Sequence, residues 1–301
     1  MDNNMITIKD LTKDYGQHRG IFNVNLTIRK GEVFGLVGVN GAGKTTMLRL
    51  LMGFLKADRG SATIAGIDVW KKADSVKKKI GYVPGEIAFP DTKSGKTFLK
   101  LQLDLLKGKQ KYNKRINALI QKLKIDTTAD IKRMSKGMKQ KVALVCAFMT
   151  NADILLLDEP TTGLDPVMRD VFIELVKEAK AKGTTIIMSS HMFNELEPTC
   201  DRIAFLKSGQ IIEVLDRTKM ADLQRYQQFD IAFSSPKDYQ LFKQYDFNIK
   251  LDNPTYHRLT ISVHDTKVSE VVSALGKIRL QNLSITPMGL DNYFAEELAT
   301  H

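Results

Sequence analysis

Two cysteines in 301 residues, Cys146 inside an apolar run and Cys200 far from it, are too few for a disulfide framework or a thiolate metal cluster. A reduced, cytoplasmic setting is the expectation. No apolar stretch approaches the roughly 18–20 residues needed to cross a bilayer, so no membrane span is expected. The opening MDNNMITIKD has neither a basic n-region nor an apolar h-region, and a secretory signal is not expected. Internal repeats and low-complexity segments are missing as well, which sets aside solenoids and disordered tails.

What is present is ordinary for a chain that buries a core: 43% hydrophobic and 26% charged residues. The length exceeds the usual single domain and predicts one large domain with a smaller one. The net charge of +11 is unevenly placed. Residues 71–141 hold 20 Lys or Arg against 6 Asp or Glu, whereas residues 216–301 hold 10 against 11. An electropositive central segment suits nucleic acid, an anionic membrane surface or an acidic partner face. A solvated helical face explains the same charge run without any partner.

The opening predicts strands, MITIKDL and then FNVNLTI, where Val24, Leu26 and Ile28 alternate with polar residues. EVFGLVGV is a compact apolar run entering a glycine turn, and Lys44 to Phe54 follows as a predicted helix. Residues 93–150 are expected to be mostly helical, with Leu99, Leu103 and Leu106 at three-to-four spacing. ADILLLDEP and TTIIMSS are buried strands with a helix over 166–182 between them, and DRIAFLKSGQIIEVL closes the region as a hairpin. Such alternation predicts an α/β class with a mainly parallel sheet. Beyond about residue 220 the order β-α-β-β-α-β predicts a small α+β domain of ferredoxin-like kind. The expected division is 1–218, with a helical insert over about 90–150, and 219–301. His257 and His264 have no partner at metal-ligand spacing and are expected to be surface or packing residues.

GVNGAGKT, residues 38–45, matches G-x-x-x-x-G-K-[ST] between a predicted strand and a predicted helix. With Gly near 7% of residues, a chance match is expected on the order of once in a hundred such chains, and the strand–helix setting makes it rarer still. Gly38, Gly41 and Gly43 let backbone amides curl around phosphate oxygens where side chains would block approach. The helix beginning at Lys44 turns its positive dipole end toward the same charge. Lys44 supplies a cation for the β/γ-phosphates and the Thr45 hydroxyl a Mg²⁺ ligand. ILLLDEP presents Asp158 and Glu159 together at a strand end. Asp158 suits the Mg²⁺ shell, and Glu159 suits orienting and deprotonating a water at the γ-phosphate. His191 follows TTIIMSS at the end of a third strand, where α/β sheets gather ligands.

The order of Tyr15 in DYG, GVNGAGKTT, SKGMKQK, ILLLDEPTTGLD and SSH resembles the ATP-binding subunit of an ABC transporter over roughly residues 5–215. The resemblance implies a P-loop NTPase core with N-terminal antiparallel strands and a helical insert. It implies nucleotide contacts along Gly38, Val39, Asn40, Gly41, Ala42, Gly43, Lys44, Thr45 and Thr46. Tyr15 would stack on adenine, Asp165 would lie in the loop between paired subunits, and His191 would contact the γ-phosphate. Glu159, His191 and Lys44 would be catalytic.

SKGMK stands where that family usually has LSGGQ, so Ser135 and Gly137 would meet the γ-phosphate held by the opposite subunit. Lys136 and Met138 depart from the pattern. A sharper departure is IGYVPGE, where Gly85 replaces the family's Mg²⁺-contacting glutamine, and Glu86 would serve as a ligand only if the loop shifts by one residue. Implied cofactors are ATP and Mg²⁺. Implied partners are separate transmembrane permease subunits and a second copy or a homologous ATPase subunit, at the cytoplasmic face of the membrane. SKGMKQK and YVPGE together resemble subunits of bacterial multidrug, antibiotic or bacteriocin-type exporters. The competing class, a soluble ABC ATPase acting on ribosomes or DNA, usually carries two cassettes or long coiled coils, neither of which is here, and no nucleic acid is expected. A non-hydrolysing regulatory module is disfavoured by Lys44, Asp158, Glu159 and His191.

Overall fold

The computed structural model describes residues 3–89, 94–105 and 110–294. Two compact units divide the chain, Met1–Val214 and Leu215–His301.

Alternation in the N-terminal segments produces β1 (Asn4–Asp14) and β2 (Gly20–Arg29), paired antiparallel with Ile6 opposite Ile28 and Ile8 opposite Leu26. On its other edge β1 pairs antiparallel with β4 (Arg59–Ile64), and β5 (Ile67–Asp68) completes a four-stranded sheet. The second sheet is built from β3 (Val33–Val37), β6 (Ile80–Val83), β7 (Ile154–Asp158), β8 (Thr185–Ser190), β9 (Arg202–Lys207) and β10 (Gln210–Asp216), in the order β10-β9-β3-β8-β7-β6. Every residue of β3, β7 and β8 is buried, which is why these strands read as continuous apolar runs rather than alternations. β8 lies between β3 and β7 and runs parallel to both, so the three segments that follow them leave the sheet side by side. That edge is where open parallel sheets collect ligands.

Helix α1 (Lys44–Leu51) shares one core with both sheets. Met47, Leu48 and Leu51 belong to one core with Leu36, Leu156 and Ile187 of the parallel sheet and Ile6, Ile28 and Ile64 of the antiparallel one. Fully burying each such side chain stabilises by about 1.5–3 kcal/mol. α1 ends three residues short of the expected Phe54. Gly53 takes a φ of +63°, and a Cβ there would meet the Val69 carbonyl at 2.4 Å, so only glycine closes this turn.

The insert is helical in pieces. α2 (Ala73–Lys77) precedes it, and it contains α3 (Gly95–Asp104), α4 (Gln110–Lys122) and α5 (Lys136–Phe148). Leu106, part of the expected helical pattern, lies outside the described residues. α6 (Pro166–Ala181) starts with the Asp165 carboxylate accepting from the Met168 N–H at 2.9 Å, with Pro166 where its missing N–H costs nothing. α7 (Phe193–Leu196) is a single turn after β8.

The second unit begins with α8 (Arg217–Leu223) and continues as β11 (Tyr226–Phe233), α9 (Pro236–Phe242), β12 (Ile249–Asn253), β13 (Arg258–His264), α10 (Val268–Leu275) and β14 (Leu280–Pro287). Its sheet order is β12-β13-β11-β14, with β11 antiparallel to both neighbours, which is the ferredoxin-like arrangement. Phe229, Ile231, Phe233, Tyr239, Phe242 and Ile261 form a core of its own. His264 caps a short turn by accepting from the Thr266 N–H, and its ring sits edge-on to Tyr226. Among the described residues no helix is long and apolar enough to cross a membrane, and no group of three His, Cys, Asp or Glu could hold a metal ion.

Candidate active site

Glycine shapes the loop after β3. Gly41 and Gly43 have φ of +85° and +109°, which L-residues rarely adopt. A Cβ on Gly43 would lie 2.7 Å from Ile21 Cγ2, and one on Gly38 would lie 2.5 Å from the Leu206 carbonyl. The loop is therefore braced against β2 and β9. Gly43 is also the N-cap of α1, which has no side-chain cap, so no side chain competes for the helix's leading amides. A cleft of about 290 Å³ opens beside it, lined by Tyr15, Arg19, Gly20, Glu159 and residues 39–46. The sequence-read residues Val39, Asn40, Gly41, Ala42, Gly43, Lys44, Thr45 and Thr46 are thus brought together with Tyr15 and Glu159.

Lys44 is buried, and its Nζ donates to the Gly38 carbonyl at 2.6 Å while lying 3.4 Å from Glu159 Oε1. A buried ammonium needs such partners, because desolvating it alone is expensive. Glu159 Oε2 lies 2.8 Å from His191 Nδ1. Glu159 itself has a φ of +47°, an uncommon and strained conformation for a residue with a side chain. Its N–H donates to Ser189 Oγ at 2.9 Å, and the Ser189 hydroxyl donates on to Asp158 Oδ1 at 2.7 Å. Three adjacent strand ends therefore meet in one cluster of Lys44, Asp158, Glu159, Ser189 and His191.

Asp158 is fully buried, and its second oxygen, Oδ2, has no hydrogen-bond partner among the described residues. An orphaned carboxylate oxygen of this kind matches a hard, oxygen-seeking cation, so the residues present fit Mg²⁺. The neighbouring Tyr82 hydroxyl is pushed up to about 12, first by burial and then by the Asp158 charge.

The ABC transporter family model matches residues 21–162. The ABC transporter ATP-binding protein YtrB of Bacillus subtilis (strain 168) is 35% identical over 236 residues, covering 77% of this chain and 78% of YtrB. This chain belongs to the ABC transporter ATP-binding proteins. The linearmycin resistance ATP-binding protein LnrL of the same organism is 33% identical over 221 residues, 72% of this chain and 70% of LnrL. Two solved structures of the bacterial ABC transporter cassette MJ0796 are also similar. Its dimeric form aligns with a TM-score of 0.64 and 26% identity over 71% of this chain and 99% of MJ0796. A dimeric post-hydrolysis state of it, bound to ADP and Pi, aligns with a TM-score of 0.63, 26% identity and the same coverage. The chain is accordingly an ATP-hydrolysing, nucleotide-binding subunit of a transporter.

In this ABC subunit Tyr15 shares the cleft, whereas Ser135, Gly137, Asp165 and Glu86 lie elsewhere. Tyr15 is half exposed on the rim of the cleft, with Lys13 Nζ 5.9 Å from its ring centre. Ser135 caps α5, its Oγ accepting from the Met138 N–H at 3.2 Å. A Cβ on Gly137 would strike the Gly163 carbonyl at 2.3 Å, so glycine is required where α5 crosses the segment after Glu159. Ser135, Gly137 and Asp165 do not line the phosphate-loop cleft. Gly85 lies against Asp158, and a Cβ there would sit 2.8 Å from Oδ2. Glu86 instead lines a second cavity of about 330 Å³ with Lys136, Lys139 and Gln140. Burial pushes the Cys146 thiol up to about 12, which disfavours the nucleophilic thiolate.

Sequence reasoning missed Arg19, Ser189, Gln140 and Glu195. The Ser-Ser pair before His191 was a signal for Ser189, and Gln140 lies inside the SKGMKQK segment; Arg19 and Glu195 had none. Glu195 is buried, accepting from Thr161 Oγ1 at 2.6 Å and from Ser190 Oγ at 2.9 Å, with Arg169 Nε 4.0 Å away. It ties the segment after Glu159 to the end of β8. Glu195→Ala is expected to destabilise the fold by about 1–3 kcal/mol for each buried hydroxyl it orphans. Glu195→Gln should cost clearly less, which urea unfolding of both variants measures.

Proposed function

We propose that this subunit powers an exporter of drugs, antibiotics or peptides through ATP-dependent pairing with a second copy or a homologous subunit. One observation carries the reading: Lys44 and Glu159 line the cleft and are tied to His191 and, through Ser189, to Asp158, while Ser135 and Gly137 sit at the start of α5 with no contact to that cluster described. The cleft is then completed by another subunit's Ser135 and Gly137, and two ATP molecules are held between two subunits.

The roles proposed are those the family resemblance implies, and the cleft and its charge cluster support them. Tyr15 on the rim stacks on adenine. Residues 38–46 wrap the phosphates, and Lys44 exchanges its Gly38 contact for phosphate oxygens. Thr45 and Asp158 Oδ2 would hold Mg²⁺, which would supply neutralisation of the triphosphate's negative charge. Glu86 joins them only through a one-residue loop shift, and Glu86→Ala with unaltered ATPase activity and Mg²⁺ dependence would exclude it. Glu159 takes the proton from the attacking water, and His191, held at its carboxylate, meets the γ-phosphate. Asp165 lies at the subunit boundary.

The export assignment is supported by the likeness to the linearmycin resistance protein LnrL. The basic 71–141 segment suits a place against anionic headgroups, with the subunit peripheral to the cytoplasmic face and docked on a separate permease. The test is co-purification with the product of a neighbouring reading frame that has several membrane spans, followed by ATPase assays in vesicles. Stimulated turnover in the complex is expected. Failure to associate with any such permease would overturn the reading. The same basic segment is what favours a soluble ABC ATPase on ribosomes or nucleic acid, and steeply salt-dependent RNA or DNA binding would establish that instead.

A further inference from the structure

Gln140 is a buried amide followed on the same face of α5 by the buried apolar residues Ala143, Leu144, Ala147 and Phe148. Its Nε2 donates to the Pro160 carbonyl at 2.7 Å. Pro160 directly follows Glu159, whose left-handed backbone is disfavoured and persists only where its surroundings hold it. On the N-terminal side that hold is Ser189 Oγ on the Glu159 N–H, at 2.9 Å. On the C-terminal side the Thr162 N–H donates to the Glu159 carbonyl at 3.2 Å, and Gln140 holds the carbonyl of the next residue, Pro160.

A second contact fastens the same helix to the same segment. One turn before Gln140, Gly137 crosses Gly163 so closely that no side chain fits between them. The helix whose first residues carry Ser135 is therefore joined at two points to the loop that carries Glu159. Neither contact touches the phosphate loop.

We infer that Gln140 is a positioning residue, which holds the Glu159 backbone in its working conformation and links it to the start of α5. The inference rests on Glu159 being the general base. Its mechanical consequence is that when the start of α5 caps a nucleotide on the opposite subunit, the displacement reaches the base of its own site through Gln140. A buried amide kept only for packing would have no such consequence.

The test compares Gln140→Leu and Gln140→Glu with the unaltered full chain, measuring kcat, KM and ATP binding between pH 5.5 and 8.5. A kcat lowered about tenfold or more, with KM and ATP affinity unchanged within about twofold, is the expected result for both. A protonated carboxyl can donate to the Pro160 carbonyl and an ionised one cannot, so the Gln140→Glu deficit relative to the unaltered chain should shrink as pH falls. The Gln140→Leu deficit should stay constant. Turnover by Gln140→Leu within twofold of the unaltered chain overturns the inference, as does a pH-independent Gln140→Glu deficit. If Gln140→Leu does not fold, the Gln140→Glu ratio decides alone. Glu159→Gln, run beside them, separates the two questions: full turnover there would sink the base assignment whatever Gln140 does.

Discussion

Glu159→Gln should bind ATP and fail to turn it over, with hydrolysis lowered by about 10²–10⁴-fold, the range a general base contributes. The substitution is nearly isosteric. Its amide oxygen can still accept from Lys44, 3.4 Å from Oε1, and its NH₂ can face His191 Nδ1, 2.8 Å from Oε2. What disappears is the negative charge and with it the proton acceptor. That charge also stands next to where the triphosphate must sit, so removing it should tighten ATP binding rather than weaken it. If hydrolysis is what reopens the paired subunits, the variant should accumulate as a dimer at saturating ATP. Size-exclusion chromatography with in-line light scattering reads this directly. A monomer under those conditions would contradict the shared site.

Legibility followed sequence distance. The phosphate loop was readable because its glycines, lysine and threonine are consecutive, and the strand before it and helix after it are short-range patterns. Asp158 and Glu159 were readable because a fully buried strand leaves few alternatives for two carboxylates at its end. The groups that orient them were not. Ser189 reaches Asp158 and Glu159 from 31 and 30 residues away, and Gln140 reaches Pro160 from helix α5. No local period encodes such contacts.

Glu195 is the same case in reverse: an acidic residue in a short polar stretch that turns out to be buried, because Thr161 and Ser190 donate to it. Gly53 ended α1 early through a left-handed turn against Val69, a constraint set by tertiary packing rather than by helix propensity. In the loop after β6, the sequence showed that a glutamine was missing. It did not show that Gly85 is the residue against Asp158 or that Glu86 lines the cavity beside α5.

Lys44→Ala carries the second large expectation. The side chain is buried, and its ammonium has two tasks: it holds the Gly38 carbonyl at 2.6 Å and offsets the Glu159 carboxylate 3.4 Å away. Removing it takes one charge-assisted hydrogen bond from the phosphates, worth about 1.5–3 kcal/mol. At 1.4 kcal/mol per decade, ATP affinity should fall by roughly 10–150-fold. The loss should exceed that of a surface lysine for a further reason. Glu159 would face the incoming triphosphate without its cation, adding like-charge repulsion in a partly desolvated cleft. Lys44→Arg tests whether charge alone suffices. A planar guanidinium does not fit the compact contact with Gly38, so affinity should recover only in part and turnover should stay low. Combining Lys44→Ala with Glu159→Gln isolates the repulsion: the double variant should bind ATP more tightly than Lys44→Ala alone, by isothermal titration. Equal affinities would mean that Glu159 is screened from the nucleotide and that Lys44 acts on phosphate only.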